Sequence, residues 1–199
     1  MANEMSTYVK VCNGNEKVAN RLKELFTPTE GQYEVNAVEI LNRMLGTNFS
    51  YRESKEGWDI ETDWPTNEIW NSYIGPKWMF VDYDHSDNPE DCNIMIRSAW
   101  SVPNEFLEKL AEELYTIDEE CFICGTYEDE SYDPMGAFVY AKGWDDIEDL
   151  DEEIDYDKIW EDDDYREELQ YAINDLCDSM VQAYKEHLKD KEENPEDYE

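Results

Sequence analysis

The sequence predicts an α+β fold built on an antiparallel sheet with helices packed against it. Three observations lead to this fold class: short segments alternate apolar and polar residues, others carry apolar residues at helical spacing, and Gly, Pro and Asn residues separate them. The predicted order is strand, helix, insertion, strand, strand, helix and strand, followed by one further strand. This order is the split βαβ arrangement of the ferredoxin-like plan.

Five segments carry the predicted strands. The first, TYVKVC, places Val9 and Val11 on one face. KWMFVDY and CNIMIRSAW are predicted to pair through the polar turn DHSDNPED, and CFICGTY and GAFVYAK follow later in the chain. The predicted strands therefore cover residues 7–12, 77–83, 92–100, 121–127 and 136–142.

Three helices are predicted among these strands. The first carries apolar residues from Val18 to Phe26, and the second covers residues 35–45, with Gly46 as its C-cap. The third follows Ser101, which is the expected N-cap, and its apolar stripe runs from Phe106 to Leu114. Residues 30–76 are predicted to be a helical and loop insertion in a domain that spans residues 1–143.

A fourth, C-terminal helix is predicted within residues 166–199, and its end is expected to fray. Its apolar residues recur on one face, which must be buried either on the sheet of the same chain or in a homodimer. The stripe consists of Leu169, Ile173, Leu176, Met180, Tyr184 and Leu188. Residues 144–165 are predicted to form an acidic connector, within which Ile147, Leu150 and Ile154 have the spacing of a helical turn.

Composition excludes some classes of partner. The net charge is −36, and residues 81–199 carry 40 acidic and 8 basic residues, whereas residues 1–80 carry 12 and 8. Direct binding to nucleic acid or to an anionic membrane is therefore not expected, but binding to a basic protein is. The 7 Trp and 14 Tyr residues argue against disorder, although the aliphatic content is low.

No catalytic, metal or cofactor site is predicted. Cys121 and Cys124 are three residues apart, so in a strand they point to opposite faces, and no second pair of cysteines or histidines lies nearby. DYDHSDNPEDCN lacks the glycine and the final glutamate of a calcium loop. His85 and His187 stand apart from any recognisable catalytic motif. The five cysteines, together with the absence of a signal peptide or an apolar span, predict a cytoplasmic protein.

Several segments resemble one known family. WNSYIGPKW (residues 70–78), SAWSVPNEFLEKLAEEL (98–114) and YEDE followed by GAFVY (127–140) are similar to the YubB-like ferredoxin-like family of phage and plasmid proteins. The sequence departs from the family pattern at two positions. Val102 stands where the family usually has the first of two prolines, and Pro76 interrupts the Gly-Lys pair of the pattern. The resemblance covers about residues 70–143. It implies a ferredoxin-like fold and a mobile-element origin, in particular a bacteriophage, and it implies no catalytic residues.

The acidic run from Asp145 to Asp164 holds thirteen carboxylates and a single lysine. A solvated linker would lack aromatic residues, whereas Trp144 directly precedes this run and Trp160 lies within it. A salt-adapted surface would extend over the whole chain, which it does not. Duplex DNA carries one charge per ~1.7 Å, so the net charge of −36 matches roughly 18 base pairs. A duplex-like surface and a merely soluble acidic surface remain as the two interpretations.

We therefore expect a phage-encoded acidic inhibitor that mimics the charge of nucleic acid. It would block a host DNA- or RNA-binding protein of defence or replication, such as a nuclease, a CRISPR effector, a restriction enzyme or a polymerase, in the host cytoplasm. Two alternatives are a non-catalytic adaptor that binds through aromatic and amphipathic surfaces, and an enzyme with an unrecognised carboxylate site. The candidate partner-binding residues are Trp144, Asp145, Asp146, Glu148, Asp149, Asp151, Glu152, Glu153, Asp155, Asp157, Trp160, Glu161, Asp162, Asp163 and Asp164.

Overall fold

The computed structural model describes residues 3–50, 52–54, 57–59, 65–151 and 154–194, and for residues 52–54 and 57–59 it describes the backbone alone. It has the α+β fold that the sequence predicts. Its strands are β1 (Glu4–Cys12), β2 (Val35–Asn36), β3 (Arg52–Ser54), β4 (Gly57–Asp59), β5 (Met79–Asp84), β6 (Asn93–Ala99), β7 (Phe122–Asp129), β8 (Met135–Ala141) and β9 (Trp144–Asp149). Its α-helices are α1 (Glu16–Phe26), α2 (Ala37–Leu45), α3 (Asn67–Tyr73), α4 (Asn104–Ile117), α5 (Tyr156–Glu161) and α6 (Asp163–Glu193).

The main sheet is antiparallel and has seven strands within the described residues. Their order is β2-β5-β6-β1-β7-β8-β9, and β3 pairs with β4 in a separate hairpin. β1 lies in the middle, where Thr7 pairs with Ile96 of β6 on one side and with Tyr127 of β7 on the other. The sheet is larger than the five strands predicted by periodicity, because β2 extends one edge and β9 extends the other.

Helix ends follow the local sequence except at α4. α2 ends at Gly46, which has the left-handed φ of 65° that the predicted C-cap requires. The prediction of Ser101 as the N-cap of α4 is wrong: the helix begins at Asn104, and Pro103 stands at the N-cap with no side-chain cap bond. The backbone carbonyl of Ser101 instead accepts a hydrogen bond of 2.8 Å from the Ser98 hydroxyl.

β9 lies where the sequence predicts a connector with a helical turn, and that turn is wrong for residues 144–149. A two-residue turn ending at Gly143, with φ of 74°, reverses the chain after β8 and pairs Trp144 with Ala141. Side chains then alternate across the strand, so Trp144 faces one side and Ile147 the other. Acidic residues occupy four of the six positions of β9, and the spacing of the few apolar residues fits a helix as well as a strand.

The largest core lies between one face of the sheet and helices α1, α2 and α4. It is built from the apolar stripes of these helices and from alternate residues of β1, β5, β6, β7 and β8. Phe26 and Phe106 are fully buried there, with ring centroids 6.3 Å apart in an edge-to-face contact. On each of these strands, the residues that alternate with the core residues point to the opposite face of the sheet.

α6 covers part of that opposite face. Its residues Cys177, Met180 and Tyr184 are buried against Phe122 and Val139 of β7 and β8. The C-terminal stripe is thus buried within the chain, which was the first of the two expected solutions. Leu188, at the end of the stripe, remains 38% exposed.

A third, smaller core holds the acidic segment against the domain. Ile159 of α5 is buried with Met135, Leu169 and Ile173, and Leu150 and Ile154 pack on this cluster. The described residues after β9 are therefore held in place by five aliphatic side chains and one methionine despite their charge. No helix of the described residues is both long enough and apolar enough to cross a membrane.

Candidate partner-binding surface

The structure distributes the predicted site residues over three neighbouring elements. Four carboxylates lie on β9, two lie in the loop that follows, two lie on α5, and three lie where α5 meets α6. In chain order these are Asp145, Asp146, Glu148, Asp149, Asp151, Asp155, Asp157, Glu161, Asp162, Asp163 and Asp164, and we call them the acidic surface. Glu152 and Glu153 fall outside the described residues.

Some of these carboxylates have a local structural role. Asp155 caps α5 and Asp162 caps α6, each by accepting hydrogen bonds from two backbone N–H groups of the first turn. Negative charge at a helix N-terminus is also favoured by the helix dipole. Asp163 forms an ion pair with Arg166. Four of the predicted site residues are thus explained locally, the fourth being Asp149, whose partner is described below.

Seven others have no hydrogen bond or ion pair from their carboxylates within the part of the chain that is described. They are Asp145, Asp146, Glu148, Asp151, Asp157, Glu161 and Asp164. All are exposed except the half-buried Asp146. An ordered carboxylate without an intramolecular partner is free to accept charge-assisted hydrogen bonds from another molecule.

β9 concentrates charge along a straight line at the edge of the sheet. Asp145 to Asp149 spans about 14 Å of extended strand and includes four carboxylates. A single strand of DNA carries one charge per ~3.4 Å of axis, which is about four charges in the same length. The linear charge density of β9 therefore approaches that of one nucleic-acid strand.

The two tryptophans of the predicted site differ in their surroundings. Trp144 is half-buried, and its ring lies 6.0 Å from that of Tyr184 and 4.7 Å from that of His187, both on α6. Trp144 therefore anchors β9 to the helix. Trp160 of α5 is 71% exposed, so its indole is available to a partner.

Trp100 is a further candidate residue, and the sequence pattern did not single it out. Trp100 is 56% exposed and has a left-handed φ of 64°, an uncommon backbone conformation for a bulky residue. The ammonium of Lys77 lies 5.3 Å from its ring centroid. A large indole held outward by an unfavourable backbone conformation is a feature of functional sites, and a residue-type pattern carries no signal for it.

Trp100 borders a groove that runs beside β9. A cavity of about 320 Å³ lies between Trp100, Tyr127, Ile147 and Asp149. It adjoins a second cavity of about 440 Å³, since Pro134 and Asp149 line both. The acidic edge strand and the exposed indole therefore face the same opening, which continues toward α5.

Burial and nearby carboxylates raise the pKa of two phenols, that of Tyr127, which lines the groove, and that of Tyr140 on β8. The hydroxyl of Tyr127 donates a 2.6 Å hydrogen bond to Asp149, and burial followed by this bond raises the pKa of Tyr127 well above its usual range. Burial and the nearby carboxylates Glu108 and Asp145 raise the pKa of Tyr140 to about 12. At neutral pH both phenols remain neutral, and the Asp149 side chain lines the cavity.

The cysteines have no disulfide partner, and Cys121 and Cys124 lie in the cores on opposite faces of the sheet, as predicted. Cys12 is half-buried, with its sulfur 3.8 Å from that of Cys124. The described residues contain no group of three or more His, Cys, Asp or Glu side chains arranged to hold a metal ion. The geometry around these thiols is that of core packing.

Comparisons with protein-family models, with curated proteins and with solved structures found no match to this chain. The similarity to the YubB-like family therefore stays a prediction that rests on the quoted segments alone.

Proposed function

We propose that this protein is an acidic inhibitor that occupies the nucleic-acid-binding surface of a basic partner. The partner would be a DNA- or RNA-binding protein of a bacterial host, such as a defence nuclease, a CRISPR effector, a restriction enzyme or a polymerase. The chain would be encoded by a phage and would act in the host cytoplasm. The inhibitor would compete with nucleic acid and would carry out no reaction of its own.

One observation carries this proposal: the acidic surface is ordered, and seven of its eleven carboxylates have no hydrogen bond or ion pair within the described residues. The cluster around Ile159 and the pairing of β9 with β8 fix the backbone of these residues. Lys and Arg side chains that grip phosphates can donate charge-assisted hydrogen bonds to carboxylates instead. A preorganised row of acceptors loses less side-chain and backbone entropy on binding than a disordered acidic tail would.

The order of the central strands supports the ferredoxin-like plan that the family resemblance implies. The central strands β5, β6, β1 and β7 are neighbours in that order, and the connections α1 and α4 lie on one face. We infer that these four strands follow the ferredoxin-like plan, with β2, β8 and β9 added at the edges. Fold alone does not determine function, so the charge distribution remains the main support.

The proposal is tested by neutralising part of the acidic surface and an equal number of charges elsewhere. The test variant changes Asp145, Asp146 and Asp151 to Asn and Glu148 to Gln. The control variant changes Asp82 and Asp84 of β5, together with Glu16 and Glu30, to the corresponding amides. Each variant removes four negative charges. β5 lies five strands away from β9 in the sheet, which is a distance of about 24 Å.

We expect the test variant to bind the partner at least ~10-fold more weakly than the control variant, mainly through slower association. The partner is first recovered from host lysate at low salt, and affinities are then measured as a function of salt concentration. The affinity of the unchanged protein should fall steeply with salt. Equal binding by the two variants, or binding that is insensitive to salt, would favour the adaptor alternative, whose anchor would be the exposed Trp160.

A further inference from the structure

We propose that the free edge of β9 binds an extended lysine- and arginine-rich segment of the partner as an additional strand of the sheet. This inference rests on the proposed function and specifies how the basic partner is held. The added strand would lie about 4.8 Å from β9, and its side chains would alternate between the groove beside Trp100 and the opposite face.

The hydrogen-bond register shows which groups of β9 are available. The backbone N–H of Leu150 donates a 2.8 Å bond to the carbonyl of Met135, so this pair is hydrogen-bonded in the β8–β9 ladder. In an antiparallel pair, hydrogen-bonded and non-hydrogen-bonded residues alternate. The N–H and C=O groups of Asp145, Ile147 and Asp149 therefore point away from β8. Within the described residues β9 pairs with β8 alone, so these groups form an open edge.

The side chains of two of these residues, Ile147 and Asp149, line the groove. Ile147 is 39% exposed and, with Asp149, borders the cavity that Trp100 closes on the other side. A lysine or arginine side chain combines an apolar stem with a charged head. The stem fits between Ile147 and the indole, and the head reaches the Asp149 carboxylate. The residues whose backbone groups form the open edge thus include the two whose side chains would contact the basic side chain.

Charge complementarity selects the occupant. β9 and the two residues after it carry five carboxylates and no basic residue. A second copy of this chain would place these carboxylates opposite each other, which destabilises strand pairing. A basic segment would place an opposite charge at each position. A basic strand therefore fits this edge and a second β9 does not.

The acidic edge also protects the sheet against unspecific strand pairing, as charged edge strands do in many proteins. Protection accounts for the carboxylates of β9, but it does not account for the exposed Ile147 or for the strained, outward-facing Trp100 across the groove. An edge that is only protected would have no apolar contact surface beside it.

The experiment uses the full chain and a labelled peptide of alternating lysine and threonine, a sequence able to form a strand. The control peptide alternates lysine and proline, so it has the same charge, but its prolines donate no backbone hydrogen bond and their fixed φ near −65° opposes an extended strand. We expect the Lys-Pro peptide to bind at least ~10-fold more weakly than the Lys-Thr peptide. Amide hydrogen exchange of the unchanged protein should slow at Asp145, Ile147 and Asp149 when the Lys-Thr peptide binds.

Two variants isolate the backbone contribution. Ile147→Pro removes one outward N–H and leaves the β8–β9 ladder intact, whereas Ile147→Thr keeps the N–H and the strand preference. The Lys-Thr peptide should bind the proline variant at least ~10-fold more weakly than the threonine variant. The exchange measurement needs no substitution, so it decides the matter even where the proline variant does not fold.

Each outcome bears on the inference separately from the proposed function. Equal binding of both peptides, with unchanged exchange along β9, would overturn strand addition and leave a charge-only inhibitor. Failure of both peptides to bind at low salt would overturn the inference and the proposed function together. A concentration-dependent dimer that Ile147→Pro abolishes would overturn the inference in favour of pairing between two copies.

Discussion

The docking of α6 on the sheet predicts that Tyr184→Ala strongly destabilises the protein. Tyr184 is 4% exposed, and its ring centroid lies 5.1 Å from that of Phe122 in an edge-to-face contact and 6.0 Å from that of Trp144. Truncating a buried aromatic side chain to alanine costs ~3–5 kcal/mol. For a chain of this size, a loss of ~3–5 kcal/mol lowers the melting temperature by roughly 6–20 °C.

A matched control lies on the same helix. Tyr171 is 62% exposed, and its hydroxyl bonds only to Glu167, at 3.1 Å on the same helix. Tyr171→Ala should therefore change the free energy of unfolding by less than about 0.5 kcal/mol. Urea unfolding followed by circular dichroism measures both variants. If the two variants unfold at the same urea concentration, α6 is not docked through this face, and the argument for an ordered acidic surface loses its support.

Three further predictions concern pH, the sheet centre and nucleic acid. Burial raises the pKa of Glu128 above its usual 4.5, although hydrogen bonds from Gln170 and Tyr8 oppose this. The folded state therefore favours the protonated carboxyl of Glu128. The stability that this proton contributes is lost as the pH rises through the pKa of the folded state. Glu128→Gln should accordingly gain stability relative to the unchanged protein between about pH 4 and pH 7 in urea titrations, and the exposed Glu168→Gln should show a smaller trend. Gly125→Ala should lower the urea midpoint of unfolding, because a Cβ there would lie 1.8 Å from a backbone oxygen of the central strand β1. An unchanged midpoint would show that the pairing of β1 with β7 is wrong. Neither duplex nor single-stranded DNA should bind at moderate salt, given the net charge of −36, and a micromolar gel shift would contradict this expectation.

The core elements could be predicted because packing imposes a period on their residues. α1 and α4 show their apolar stripes plainly, and each of the five predicted strands is within a few residues of its observed bounds. β9 escaped prediction because its edge position leaves it with one apolar neighbour strand, so acidic residues fill four of its six positions. Ile147 and Leu150 then matched a helical spacing by chance.

The candidate site was predictable in charge and unpredictable in shape. The density of acidic residues is a property of the sequence, but the division between helix caps such as Asp162 and unpaired carboxylates such as Glu148 depends on where helices begin. Trp100 could not be identified, because seven tryptophans share one residue type and only the fold decides which of them is exposed.

The central position of β1 has a consequence for the synthesis of the protein. β1 ends at Cys12, whereas its neighbours β6 and β7 end at Ala99 and Asp129, so the first neighbour is complete only 87 residues after β1 and the second 117 residues after it. At bacterial translation rates of ~5–20 residues per second, the N-terminal strand waits roughly 4–17 s before its first neighbour is complete. During that interval it is an alternating apolar segment with both edges open, and the chain made so far gives it little protection by charge, because residues 1–80 carry 12 acidic and 8 basic residues.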